Sequence, residues 1–323
     1  MKLATFLAPD GAAHVGAVLA GGRLADLTAS SAEPAFRDML SLIEAGPGAL
    51  ERARALAAAP KVSHELARTR LLAPLPRPPR LRDFLCFELH VRQSRANRYL
   101  FGIGTERVDP AKVEIAQVWY QRPIYYKGNP FSVVGHDAEV HWPAYSRIID
   151  YELEIGLIVG RGGRNLAPAD ALEHVFGYTV FNDFSARDEQ YVEMQGLLGP
   201  AKGKDFDTGN ALGPWITTAD EIGDPQALEM VARVNGELWS RGSSASMRHG
   251  FRDILAYASL EETLVPGEVL GSGTVGGGCG NELGRFLKDG DTVELEVAGI
   301  GVLRNRIVAP HVPEVPALPI RIL

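Results

Sequence analysis

The chain of 323 residues contains only two cysteines, Cys86 and Cys279. Two thiols cannot build a disulfide framework, so the fold must rest on a hydrophobic core, and a reducing compartment is expected. No apolar run approaches the length of a membrane span. The start, Met1-Lys-Leu-Ala-Thr-Phe, leads into alternating residues instead of a basic stretch followed by an apolar one, so the cytoplasm is the expected location. Positive charge is also in short supply. Lys and Arg number 33 against 40 Asp and Glu, a formal net charge of −7, which argues against nucleic acid or an anionic membrane surface as partner. The densest basic cluster, Arg77, Arg80 and Arg82, is interrupted by prolines and reads as a solvated linker. No repeat of solenoid period is present. What is there, 46% hydrophobic and 23% charged residues, is the make-up of an enzyme-sized globular protein.

Residues 2–7 and 14–19 read as two strands joined by the turn Pro9-Asp10-Gly11, with Arg23–Leu27 as a third. Residues 33–59 are rich in Ala, Leu, Arg and Glu and read as two helices split at Gly46-Pro47-Gly48. Ala73-Pro-Leu-Pro-Arg-Pro-Pro-Arg80 cannot continue a helix or pair as a central strand. The expected organisation is a small α+β domain over 1–72, a Pro-rich linker over 73–80 and a larger domain over 81–323. In the larger part a charged helix is predicted over 88–101. Strands are predicted around 131–134, 138–141, 151–159, 175–182, 228–234, 237–239, 268–270, 292–297 and 300–308. Asn235-Gly236 marks a hairpin. The fold class is α+β, mostly β.

The most informative stretch is Tyr151-Glu-Leu-Glu-Ile-Gly-Leu-Ile-Val159. On a strand, Glu152 and Glu154 share one face, and Asp150 joins them if extended geometry reaches that far. Like charges on one strand face repel, and a cation between them removes the conflict. A solvated outer sheet face accounts for the segment equally well.

Asp183 ends the hydrophobic run Val175–Asp183, placed either to reach a site at a sheet edge or to cap a following helix. With Glu152 and Glu154 it makes an all-oxygen donor set, suited to Mg²⁺, Mn²⁺ or Ca²⁺ and not to zinc. Arg187 and Gln190, three apart, share a helix face. Arg187 suits either a substrate carboxylate or a salt bridge. Lys202 and Lys204 lie in a glycine-containing loop, where a lysine beside a metal would stabilise an enolate. His90 is a candidate general base. Gly271-Ser-Gly-Thr-Val-Gly276 matches G-x-G-x-x-G in letters only, since no βαβ unit surrounds it. It fits better as a loop lining a site, with Thr274 offering a hydroxyl.

Together these motifs resemble the fumarylacetoacetate hydrolase family over roughly residues 80–323. The carriers are Tyr151-Glu-Leu-Glu154, Asn182-Asp-Phe-Ser-Ala-Arg-Asp188 with Gln190, Lys204-Asp-Phe-Asp-Thr208, Gly273-Thr274, and Phe286-Leu-Lys-Asp-Gly-Asp291, with Gly299–Arg306 as a closing hairpin. The resemblance implies a mixed β-roll with the site at its mouth, a divalent cation (magnesium first) and a homodimer. It implies Glu152, Glu154 and Asp183 as metal ligands. Asp83-Phe84 precedes His90 by the family's spacing, which makes Asp83 a fourth ligand and His90 the base. Glu282, in Asn281-Glu-Leu, would orient His90, with Glu88 as the competing partner. Lys127, Thr208 and Thr274 fall near substrate-contacting positions, and Lys204 near the reacting centre. Met194 stands where the fumarylacetoacetate-cleaving branch has a tyrosine, which argues against fumarylacetoacetate itself.

The expected activity is metal-dependent hydrolysis of a C–C bond in a β-diketo acid of the acylpyruvate type, as in the catabolism of aromatic compounds. Decarboxylation, hydration or isomerisation of a related 2-oxo acid is the alternative on the same metal. A non-catalytic ligand-binding protein with a structural cation is the second alternative.

Overall fold

The computed structural model describes residues 1–309. Its first strands, Lys2–Leu7, Ala13–Leu19, Arg23–Asp26 and Ser63–Glu65, form an antiparallel meander. The helices Met39–Glu44 and Gly46–Ala58 lie in the excursion between the last two strands, and Pro47 opens the second helix, where its missing N–H costs nothing. Residues 73–80 form neither helix nor strand.

The linker does not separate two cores. Lys2–Leu7 pairs antiparallel with Asn210–Thr218, Lys2 opposite Thr217 and Leu3 opposite Ile216. The meander therefore continues a single eleven-stranded sheet. One apolar cluster joins Leu3, Val15, Phe36 and Leu42 to Leu81, Ile158, Phe181, Leu212 and Val269. The part of the expected 81–323 domain over 310–323 lies outside the described residues.

Asn210–Thr218 is a central strand that the sequence pattern did not reveal. Pro214 sits inside it, and a proline ordinarily argues against a central strand because it lacks a ladder donor. The pairing with Val175–Asp183 shifts register between Tyr178 and Val180, where Pro214, Trp215 and Ile216 stand against Thr179 alone. A bulge absorbs the missing donor. The Asn235-Gly236 hairpin forms as expected, with φ of 52° and 80°, between Glu229–Val234 and Glu237–Ser243. These strands continue through Thr292–Val297 and Gly301–Val308 to Glu139–His141 as a second, five-stranded sheet.

Leu153–Val159 is buried along its whole length. Leu153, Ile155, Leu157 and Val159 face the larger apolar cluster, while Ile158 on the other side joins the cluster shared with the N-terminal meander. A solvated outer face for this strand is thereby excluded. The side chains of Glu152 and Glu154 enter the interior, at the strand end that carries the site.

Because one core spans the linker, Leu3→Ala should destabilise the whole chain by about 3 kcal/mol. Urea unfolding should remain a single transition, shifted as a unit; a separate early transition would mean that residues 1–72 fold independently.

Candidate metal centre and active site

Sheet register brings the carboxylates together. The strands run in the order Val175–Asp183, Leu153–Val159, Val269–Gly271, Leu81–Phe84 and Tyr125–Gly128. Gly156 lies opposite Gly271, Gly271 opposite Asp83, and Asp83 opposite Tyr126. Leu153 pairs with Asn182, so one step further Glu152 faces Asp183. Asp83, Glu152, Glu154 and Asp183 each offer an oxygen, all within 4.8 Å of one another, and all four are buried. Asp183 does not cap the following helix Arg187–Glu193; its side chain turns into the cluster.

Gly271 makes the space. A Cβ there would stand 2.3 Å from Asp83 Oδ1 and 3.0 Å from Glu154 Oε2, so only glycine leaves a notch between these two carboxylates. Gly273 N–H donates to Glu154 Oε2 at 3.0 Å, and Thr274 Oγ1 donates to Glu154 Oε1 at 3.3 Å. The glycine-rich loop thus cradles carboxylates and not phosphates.

Lys204 is buried and bridges the cluster, donating to Glu152 Oε2 at 2.6 Å and to Asp183 Oδ2. Lys202, two residues earlier, stays exposed. Arg187 donates to Asp150 Oδ2 from Nε (3.1 Å) and Nη2 (2.8 Å), to Glu152 Oε1 at 2.9 Å, and to Gln190 Oε1 at 2.8 Å. In this structure Arg187 is a clamp on protein carboxylates, and Gln190 serves it. Asp150 does not join the four carboxylates. It also accepts from the N–H groups of Gly280 and Asn281, at 2.7 and 2.9 Å, and so ties Arg187 to the short helix Gly280–Leu283.

That helix carries Glu282, whose Oε1 lies 2.7 Å from His90 Nδ1. Gly277 N–H holds its other oxygen at 2.5 Å, and Asn97 donates to the carbonyls of Asn281 and Glu282. Glu88, the alternative partner, instead accepts from Arg92 and Tyr120 at 2.8 and 3.0 Å. On the helix Glu88–Ala96, residues two apart cannot share a face. His90 Nε2 makes no hydrogen bond among the described residues. Glu152 forms an isolated antiparallel bridge with Cys279, the residue before the helix that carries Glu282, which places the dyad beside the carboxylates.

Two expected substrate contacts lie elsewhere. Lys127 is exposed, on the Arg82 side of its strand. Its neighbour Tyr126 takes the inward place and donates to Asp183 Oδ2 at 2.7 Å. Adjacent strand residues face opposite ways, so an offset of one residue separates the two roles. Thr208, at φ 69°, accepts from the His141 N–H at 2.8 Å and braces a loop. Met194 is exposed on the turn after the helix. Tyr126 is the participant the sequence pattern did not assign, and only the register could have found it; Asp150, expected beside Glu152 and Glu154, braces Arg187 instead.

Five buried carboxylates (Asp83, Asp150, Glu152, Glu154, Asp183) face two buried cations, Lys204 and Arg187. Burial, then the neighbouring charge of Asp183, pushes Asp83 well above the usual carboxylate range. Burial and Asp83 do the same to Glu154. Asp183 is pushed up to about 6 by burial, partly offset by Lys204. For Glu152 burial acts in the same direction, but Lys204 and Arg187 outweigh it and hold the group low. Burial also pulls on Lys204, yet Asp183 and Glu152 keep its ammonium charged. Asp183 Oδ1 is buried with no hydrogen-bond partner among the described residues. An orphaned anionic oxygen, a glycine notch and an all-oxygen donor set together fit a hard divalent cation held by Asp83, Glu152, Glu154 and Asp183.

A family profile described as fumarylacetoacetate (FAA) hydrolase C-terminal matches residues 81–308. The chain belongs to the fumarylacetoacetate hydrolase family. A mitochondrial oxaloacetate tautomerase of Homo sapiens is 33% identical over 314 residues, 95% of this chain and 92% of the relative. Among solved structures, fumarylacetoacetate hydrolase from Exiguobacterium antarcticum superposes with a TM-score of 0.74 at 29% identity, covering 96% of this chain and 100% of that one. A maleylpyruvate hydrolase from Sphingobium, in complex with manganese(II) and pyruvate, gives 0.73 at 25% identity, covering 96% and 99%. The family and its mixed, mostly β fold are as the motifs implied. The C–C hydrolase assignment is not carried by these relatives as a group, since they also include oxaloacetate tautomerases. No helix among the described residues is long and apolar enough to cross a membrane.

Because protons occupy the raised carboxylates in place of the cation, affinity must fall as pH drops through the Asp183 value of about 6. Calorimetric titration with Mg²⁺ should show at least a tenfold loss per pH unit below that point, and an affinity flat between pH 7 and 5 would contradict the assignment. Gly271→Ala leaves every carboxylate in place yet should weaken cation binding tenfold or more, measured in the same titration.

Proposed function

We propose that this member of the family is a divalent-cation-dependent enzyme that moves a proton between the enol and keto forms of a small 2-oxo acid, with oxaloacetate as the substrate class to test first. The buried His90–Glu282 dyad beside the oxygen cluster is the observation that carries this reading. The likeness to a tautomerase over nearly the whole chain supports it. When bound, the cation would supply Lewis acidity to the oxygens of the 2-oxo acid. Magnesium is the first ion to test and manganese, named with the Sphingobium hydrolase, the second.

Glu282 accepts from Nδ1–H and so leaves Nε2 as the basic nitrogen of His90. Nε2 takes a proton from the carbon next to the keto group. The electron pair moves onto the 2-oxygen as an enolate. Lys204, kept charged by Asp183 and Glu152, stabilises that oxygen as a fixed positive charge and does not act as a proton donor. The imidazolium then returns its proton to the enolate oxygen, which closes the cycle without consuming water. Arg187, clamped by Asp150, holds Glu152 in place throughout.

C–C hydrolysis of an acylpyruvate is the second reading, because a free Nε2 can equally activate water and two of the similar structures are hydrolases. The two readings part on products. A tautomerase accelerates the loss of enol absorbance and releases no acid, whereas a hydrolase yields pyruvate and a second acid.

Enol oxaloacetate and a panel of acylpyruvates, each with Mg²⁺ and with chelator, should give metal-dependent tautomerisation as the dominant activity. His90→Ala should lower kcat by about 10²-fold or more while calorimetry still finds the cation. Glu154→Gln should lose both. Full activity in His90→Ala would remove the dyad from the mechanism.

A further inference from the structure

Beside the carboxylate cluster lies a second convergence of metal-binding groups with a different chemistry. His90 Nδ1, Cys279 Sγ and Glu282 Oε1 are buried and lie within 4.8 Å of one another. The separations are 2.7 Å from His90 to Glu282, 3.5 Å from Cys279 to Glu282, and 4.0 Å from Cys279 to His90. Tetrahedral zinc, with bonds of about 2.0–2.3 Å, sets its ligand atoms roughly 3.3–3.8 Å apart. The two edges to sulfur are already near that spacing. The third is short because a proton bridges it, and it opens when the proton leaves. Cys279 immediately precedes the short helix and Glu282 is three residues on, so the two side chains reach the same side, facing His90.

We propose that His90, Cys279 and Glu282 form an inhibitory site for zinc or a similarly thiophilic divalent ion, separate from the all-oxygen site that selects magnesium. The donor chemistry makes the separation. Thiolate and imidazole prefer borderline and soft ions, whereas four carboxylates suit hard ones. Binding releases one proton to solvent, the Cys279 S–H, while the His90 ring proton moves from Nδ1 to Nε2 so that Nδ1 can ligate. A dication with one thiolate, one carboxylate and one neutral imidazole is neutral overall, which a buried site tolerates. Glu282 can then no longer accept from Nδ1, and His90 is lost as a base because Nε2 now carries the ring proton.

The binding half of this inference is independent of the proposed reaction and is tested without substrate. Protein saturated with Mg²⁺ is titrated with Co²⁺ as a spectroscopic stand-in for zinc. One equivalent should produce a near-ultraviolet thiolate-to-cobalt band. The band should be lost in Cys279→Ser and retained in Glu154→Gln, which removes the oxygen site. X-ray absorption on the unmodified, Mg²⁺-saturated chain with one equivalent of Zn²⁺ should show one sulfur and at least one imidazole, a result that needs no variant to fold. In the activity assay Zn²⁺ should inhibit at constant excess Mg²⁺, and Cys279→Ser should raise the half-inhibitory concentration tenfold or more. An all-oxygen zinc environment, or a cobalt band that survives Cys279→Ser, overturns the site. Equal zinc sensitivity in the two proteins overturns the inhibitory role and assigns the inhibition to exchange at the carboxylates.

Discussion

Negative charge gathered in the interior is the constraint from which the rest of this structure follows. Asp83, Asp183 and the pair Glu152 and Glu154 come from three separate stretches of the chain and meet buried in the interior. Such a gathering is unfavourable unless positive charge answers it. Lys204 and Arg187 answer part of it, and the remainder appears as carboxyl groups pushed to high pKa and one oxygen without a partner. The site is thus held in tension by its own sheet, and a divalent cation is the natural relief.

Asp150 shows how the tension is distributed. It fixes Arg187 on one side and the backbone of the short helix bearing Glu282 on the other. The oxygen cluster and the His90–Glu282 dyad are therefore registered to each other through a buried carboxylate, which is what the proposed proton transfer would need. The same crowding that orients His90 also brings Cys279 to it, so a base and a thiophilic ligand set share atoms.

Much of the site was legible because strand periodicity is strict. Glu152 and Glu154 had to share a face, and Asp183 had to lie at a strand end. The spacing of Asp83 to His90 resembled a known family, and the structure brings all five into one region. Lys127 shows the limit of that kind of reasoning, since a position one residue out on a strand faces the other way and the inward place belongs to Tyr126. Pro214 shows another: a local rule against central strands gives way when the proline's own strand bulges away from its partner.

By itself the sequence determined the mostly β class, the family and the residue types that a hard cation requires, because these depend on local alternation and on short motifs. Tertiary structure alone decided that Glu282 and not Glu88 partners His90, that Asp150 braces instead of ligating, and that residues 1–72 share a sheet and a core with the larger part. Each of those outcomes turns on strand order and register, which join residues more than a hundred positions apart and leave no trace in the spacing of neighbours.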